Sequence, residues 1–371
     1  MATNPNKRRG KPSARQHPPR TVLVYGASGY TGRLLAARAK ARGLPTILAG
    51  RSAERLGPLA QSLGLPWRAV TLNDPAGLDA ALQDVAAIVN TAGPFETTAH
   101  SLVEACLRTG THYLDVTGEI PVLQQLYAYD PIATKTGVMI MPGTGFVVAA
   151  ADCLAAHVAA MLPDAQYLRL GFSRGDSISR GSFTSMLGMI GDAVPIRRNG
   201  ALHSVPVGRL QRHFDYGNGP SLSMAVPWPD VFTAYHTTGI PNIEAYLEAD
   251  LMARSTYQAL AFVAEPLRLP PVQAMLNVLA RAWPEGPSEA RRAATPKVVV
   301  AEAEDAYRRI VSARLYTPNV YTFTYFAVIA IAERVLAGQI APGFQTPAGL
   351  YGPDFILEFD GVRREDLIPH A

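Results

Sequence analysis

Three glycines at intervals of three, in Gly26-Ala27-Ser28-Gly29-Tyr30-Thr31-Gly32, follow a short apolar run and precede a stretch of helical character. Gly26 permits a tight turn, Gly29 lets a diphosphate approach the backbone, and Gly32 lets the following helix pack on the preceding strand. The helix start then offers unpaired N–H groups and a partial positive charge to phosphate oxygens, with Ser28, Tyr30 and Thr31 beside them. The spacing is GxxGxxG rather than GxGxxG, so the reading depends on the strand and helix that flank it. Where a second strand ends, a site for NAD would carry an acid for the ribose hydroxyls. This chain has Gly50-Arg51-Ser52 there. A guanidinium and a hydroxyl suit a 2′-phosphate, so NADP(H) is the expected cofactor.

Further along, Thr91-Ala92-Gly93-Pro94-Phe95 closes a fourth strand with a rigid turn. Ala92, Gly93, Pro94 and Phe95 are expected beside the nicotinamide ribose, although a plain loop terminator would read the same way. In His112-Tyr113-Leu114-Asp115-Val116-Thr117-Gly118-Glu119, strand alternation puts Tyr113 and Asp115 on one face, and Glu119 falls just past the strand end. Tyr113 and Glu119 are the candidate proton donors; as strand-end polar groups they could equally cap structure. Ser179-Arg180-Gly181-Ser182 opens a helix, and Arg180 there could hold an anionic substrate group. The segment Trp228–Tyr246 reads as turn-rich, with Tyr235, His236 and Asn242 as a candidate substrate wall or as a β-turn with its polar groups satisfied.

The elements that must place these residues alternate. Strands are expected at 21–25, 46–49, 67–72, 86–91, 112–116 and 138–141, with helices between them. That rhythm predicts an α/β fold: a Rossmann-type, doubly wound parallel sheet over residues 21–150, completed by 320–371. From 151 to 319 the segments lengthen and alternate, predicting a second α+β domain with a largely antiparallel sheet, for substrate and possible homodimerisation.

Composition excludes other classes. Hydrophobic residues are 48% and charged residues 17%, which suits a core-forming enzyme rather than a disordered or coiled-coil chain. Residues 1–20 hold six basic side chains and no acid and read as a disordered tail; removing them from the formal net charge of +4 leaves −2, and no basic face for nucleic acid. The apolar windows 136–151 and 315–332 are interrupted and too short for an integral membrane segment, so a cytoplasmic protein is expected. Two cysteines, Cys106 and Cys153, exclude a disulfide scaffold, and the eight histidines show no metal-ligand spacing, so no metal is expected. None of the five lysines follows a tyrosine by four residues, which removes the Tyr-x-x-x-Lys acid/base pair of short-chain dehydrogenases.

The glycine turn, Ala49-Gly50-Arg51-Ser52, Ala92-Gly93-Pro94-Phe95, the run Thr111–Glu119, the Ser179–Ser182 turn, Thr237-Thr238-Gly239-Ile240-Pro241-Asn242 and Gly343-Phe344-Gln345-Thr346-Pro347-Ala348 together resemble the saccharopine dehydrogenase-like family, its trans-acting enoyl reductase branch in particular. The resemblance spans most of residues 21–355. It implies an NADP-binding Rossmann domain, a second α+β domain and hydride transfer to a C=N or conjugated C=C of a small or carrier-tethered substrate. It departs at Thr71, where members often carry Asp, and at Gly145-Phe146-Val147-Val148-Ala149-Ala150, where they tend to read Gly-Phe-Asp-Ser-Val-Pro. Two other readings share the glycine turn: an NADPH-binding sensor without catalysis, and an acyl-phosphate reductase, which would need a catalytic cysteine for which Cys153 has the wrong neighbours.

Overall fold

The computed structural model describes residues 21–174, 178–189, 193–249 and 282–367, with isolated positions between 255 and 278. The first domain runs β1 (Thr21–Tyr25), α1 (Tyr30–Ala41), β2 (Thr46–Gly50), α2 (Ala53–Leu63), β3 (Trp67–Ala69), α3 (Pro75–Leu82), β4 (Val85–Asn90), α4 (Ala99–Thr109), β5 (His112–Asp115), α5 (Ile120–Tyr127), α6 (Asp130–Thr136), β6 (Met139–Met141) and α7 (Phe146–Met161). β1 is branched and apolar, and Val22, Leu23 and Val24 are buried, as a strand covered on both faces requires. Its sheet is wholly parallel in the order β6-β5-β4-β1-β2-β3, extended beside β6 by Gly343–Phe344. The order reverses between β1 and β4. At such a switch point helices leave on opposite faces and the carboxyl ends of the two strands open a crevice.

The second domain adds β7 (Tyr167–Phe172), α8 (Arg180–Met189), β8 (Val194–Arg198), β9 (Ala201–Val205), β10 (Gln211–Asp215), β11 (Pro220–Ala225), α9 (Asp230–Thr238), β12 (Asn242–Glu248), α10 (Glu289–Ala293), β13 (Lys297–Glu304), β14 (Ile310–Thr317), α11 (Val320–Leu336), β15 (Gly343–Phe344), α12 (Pro347–Tyr351) and β16 (Arg363–Leu367). Its sheet has the order β10-β11-β12-β7-β13-β14-β16, antiparallel except for the β12–β7 pair, with the β8–β9 hairpin attached to β12. Along β13, Val299, Ala301 and Ala303 pack inward. Glu302 and Glu304, on the other face, pair with Arg212 and Arg169.

One hydrophobic core joins the domains. It runs from Val24 and Leu48 through α7 to Leu170, Ala301 and Leu315. The small side chains Ala149, Ala150 and Ala151, all fully buried, let α7 sit close to β13 and β14 of the second sheet and to the helices 230–238 and 320–336.

Two expectations change. Residues 230–238 form a helix and 242–248 a strand where a turn-rich wall was read, because the buried Val231, Phe232 and Ala234 share one helical face among more conspicuous polar residues. The C-terminal segment also divides: β15 completes the first sheet, whereas β16 pairs with β14 in the second.

Candidate functional site

The crevice at the β1–β4 switch point is a cavity of about 740 Å³. Two glycines shape the turn at its floor. Gly26 has φ +84°, and a Cβ there would lie 2.8 Å from the Ala92 nitrogen. A Cβ on Gly32 would lie 2.4 Å from the Gly26 carbonyl oxygen, so α1 sits on the turn only because neither residue has a side chain. Thr91 ties the β4 loop to β1, its N–H and its hydroxyl each donating to the Tyr25 carbonyl at 2.9 Å.

Gly26, Ser28, Gly29, Tyr30, Thr31, Arg51, Ser52, Ala92, Gly93 and Pro94 line this cavity. Gly32 stands behind it as packing, and Phe95 faces the adjoining cavity. The Ser52 hydroxyl accepts the Arg55 N–H at 3.4 Å as the N-cap of α2. Arg33 and Arg55 also line the cleft, their guanidinium groups donating to the Ser28 carbonyl. Sequence reasoning passed over both, although each lies within one helical turn of a residue it had selected. First-turn N–H groups of α1, two glycines that no side chain can replace and a set of arginines fit a dinucleotide carrying a 2′-phosphate. The turn would hold the diphosphate, and Arg51 with Arg55 the adenosine end.

A second cavity of about 310 Å³ adjoins the first, with Thr31, Thr91, Gly93, Ser179 and Gly181 on the wall of both. Phe95, Val147, Phe172, Trp228, Leu247 and Val320 give it an apolar surface. Glu119 and Lys297 are its charged side chains among the described residues. Both Glu119 oxygens are engaged, accepting the Phe95 N–H at 3.2 Å, the Glu96 N–H at 3.1 Å and the Ser185 hydroxyl at 3.1 Å. The carboxylate thus braces the Gly93–Phe95 loop against α8 of the second domain. Lys297 Nζ donates to the Arg174 carbonyl at 2.7 Å.

Tyr113 reaches neither cavity. It is fully buried; its hydroxyl donates to Asp115 Oδ2 at 2.9 Å and accepts from Asn90 Nδ2 at 3.2 Å. Burial and the neighbouring Asp115 carboxyl push the phenol well above its usual range. Asp115 itself is pushed up to about 6 by burial, while it accepts N–H bonds from Thr117 and Gly143 at 2.9 Å. Asn90 accepts the Ala92 N–H at 3.0 Å. This buried Asn90–Tyr113–Asp115 chain fixes the ends of β4, β5 and β6, and with them the loops that carry Gly93, Glu119 and Gly145. Tyr113 thus lies outside both cavities, at odds with its reading as a proton donor.

The second-domain candidates move too. Arg180 lines the first cavity rather than the apolar one, because the first turns of α8 and α1 both border it. Tyr235 stacks on the Arg197 guanidinium at 4.0 Å. His236 lies among Tyr127, Phe232 and Phe344, with burial and Arg197 holding its imidazole below the usual range. Asn242 donates to the Gln166 carbonyl and accepts the Asn199 N–H. None of these three lines either cavity; the apolar wall comes instead from Pro227-Trp228-Pro229, just upstream. Cys106 and Cys153 are fully buried away from both cavities, with thiols pushed up by burial, so neither meets the requirement of acyl-enzyme chemistry. Among the described residues no cluster of metal-ligating side chains forms and no helix is long and apolar enough to cross a membrane.

Residues 22–141 match the family described as Saccharopine dehydrogenase NADP binding domain. A saccharopine dehydrogenase-like oxidoreductase of Mus musculus is 31% identical over 159 residues, which is 38% of this chain and 37% of that protein. A trans-acting enoyl reductase of Mycobacterium tuberculosis is 32% identical over 133 residues, 34% of this chain and 32% of that protein. The chain thus spans about a third of the length of these curated relatives. Apo histidine-tagged saccharopine dehydrogenase (L-Glu forming) from Saccharomyces cerevisiae shares the fold, with TM-score 0.65 and 13% identity over 94% of this chain and 100% of that one. Over residues 22–141 the chain is therefore similar to the NADP-binding domain of saccharopine dehydrogenases.

Proposed function

We infer that the chain is an NADPH-dependent reductase whose substrate presents a conjugated C=C within an apolar group, free or tethered to a carrier. The observation that carries this is the continuity of an arginine-lined cleft with an apolar cavity at its inner end. When bound in the first cavity, the reduced nicotinamide supplies the hydride. Gly93 and Thr91, on the wall of both cavities, are the residues placed beside the reacting carbon.

The lining favours C=C over C=N. Val147 stands where members of the resembling family tend to carry Asp, and it faces the second cavity. A carboxylate at that position would suit an amino or iminium group; with valine there, the remaining carboxylate on the wall is Glu119, whose oxygens are taken up by Phe95, Glu96 and Ser185, and apolar contact is favoured. The trans-acting enoyl reductase among the relatives agrees with this choice. Water exclusion by Phe172, Trp228 and Leu247 strengthens any hydrogen bond made to the substrate carbonyl as charge develops on it. Glu119 remains the candidate proton donor, since its side chain reaches the cavity.

The test is NADPH oxidation, followed by nicotinamide absorbance, with a medium-chain trans-enoyl thioester beside a cyclic imine. Faster oxidation with the thioester is expected. Oxidation with the imine alone would overturn the C=C assignment, and none with a broad panel of either would favour the sensor reading. Glu119→Gln separates brace from donor: a brace changes stability and NADPH affinity, whereas a donor lowers kcat and alters its pH profile.

A further inference from the structure

We propose that Arg180, from the second domain, is a nucleotide-binding residue that engages the cofactor's diphosphate, so that binding locks the two domains together. The inference rests on the cofactor reading above. Four arginines and one acid, Glu285, line the first cavity among the described residues. The donors of Arg33 are largely spent on the Ser28 carbonyl at 2.8 Å and on the Glu285 carboxylate. Arg55 leans on the same Ser28 carbonyl at 3.5 Å. Arg180 donates Nε to the Trp283 carbonyl at 2.9 Å, and its two terminal nitrogens have no protein partner among the described residues. Arg180 lines the same cavity as the glycine turn, and its neighbours Ser179 and Gly181 line both cavities, which puts it near their junction. A cation with two parallel donors at that point matches a diphosphate.

The geometry also explains how an arginine from the other domain comes to be there. The Arg180 N–H donates to the Glu285 carbonyl at 3.2 Å, so the start of α8 and the segment 283–288 form one unit. That unit grips the first turn of α1: Tyr30 donates to the Pro287 carbonyl at 2.5 Å, and Arg292 donates to the Tyr30 hydroxyl at 2.9 Å. A nucleotide under Arg180 is therefore covered from both domains at once.

The test compares Arg180→Ala, Arg180→Lys and Arg51→Ala by titration with NADPH and with NADH. The diphosphate is common to both nucleotides and the 2′-phosphate is not. Arg180→Ala is therefore expected to raise Kd for both by a similar factor, about tenfold or more, while Arg51→Ala raises it for NADPH alone. Arg180→Lys should recover part of the loss. Hydrogen exchange with and without NADPH gives a readout independent of the variants: in the wild-type chain, backbone amides of 179–183 and 283–288 should gain protection together with those of the glycine turn. Wild-type affinity for both nucleotides in Arg180→Ala, or protection confined to the first domain, overturns this inference and leaves the cofactor reading standing. Failure of the wild-type chain to bind either nucleotide overturns both.

Discussion

A single added methyl group tests how the glycine turn works. In Gly32→Ala the new carbon would lie 2.4 Å from the Gly26 oxygen and 2.7 Å from the Ala27 Cα. Both obstacles are backbone, so no side-chain rotation relieves them, and α1 must move off the turn by about 1 Å to restore ordinary contact in a close-packed interior. Overpacking of this kind costs about 1–3 kcal/mol. The same shift carries the N–H groups of Tyr30 and Thr31 away from the cavity, and losing one charge-assisted hydrogen bond, about 1.5–3 kcal/mol, corresponds to roughly 10–100-fold in Kd. Gly57→Ala is the control, because its nearest foreign atom would be a Trp67 ring carbon at 4.0 Å. It should leave NADPH binding alone, with no gain in stability expected, because Pro58 follows within α2 and its ring crowds a helical residue that carries a Cβ. Urea unfolding and NADPH titration read both variants. Wild-type NADPH affinity in a folded Gly32→Ala protein would refute the assignment of this turn to the diphosphate.

Three further outcomes follow from the same geometry. Tyr113→Phe removes a buried hydroxyl between Asn90 and Asp115 and should cost about 1–3 kcal/mol in urea unfolding with kcat nearly unchanged; a hundredfold fall in kcat at full NADPH occupancy would restore Tyr113 as a donor. Burial pushes the Asp152 carboxyl up to about 6, against which it accepts bonds from Thr237 and Ala348. The fold therefore holds its proton more tightly than the unfolded chain does, and its contribution to stability falls as pH rises from about 4 to about 6, by roughly 3 kcal/mol at most. Asp152→Asn lacks that fall, so its deficit against wild type should be smaller at pH 7.5 than at pH 4.5; equal deficits would contradict the buried acid. Val147→Trp should fill much of the second cavity and abolish enoyl reduction with NADPH affinity within about twofold, and unaltered turnover would move the substrate elsewhere.

The sequence made the first domain legible because its signals are local. A branched apolar strand, a glycine turn and a helix start lie within a dozen residues, and the chain order of strands fixes where β1 and β4 meet. Arg51 could be read because the end of β2 has a defined chemical task. Tyr113 could not, since alternation says which face a side chain takes but not whether that face is roofed by α4 or open to a cleft. Tyr235, His236 and Asn242 misled for a related reason: polar and aromatic residues close together look like a ligand wall, yet here Arg197 stacks on Tyr235, Gln166 and Asn199 bond Asn242, and His236 packs among Tyr127, Phe232 and Phe344. Arg180 was singled out for an anion, but which anion depended on α8 and α1 bordering one cavity, a relation between domains that no local pattern carries.

The most direct test of the account is titration of the wild-type chain and of Arg51→Ala with NADPH and NADH, followed by nicotinamide fluorescence. Arg51 lines the first cavity beside Ser52 and Arg55 with no acid at the end of β2. The expected result is tight NADPH binding, at least about tenfold stronger than NADH, with the preference erased in the variant. Equal affinity of the wild-type chain for the two nucleotides, or a preference that survives the loss of Arg51, would contradict it.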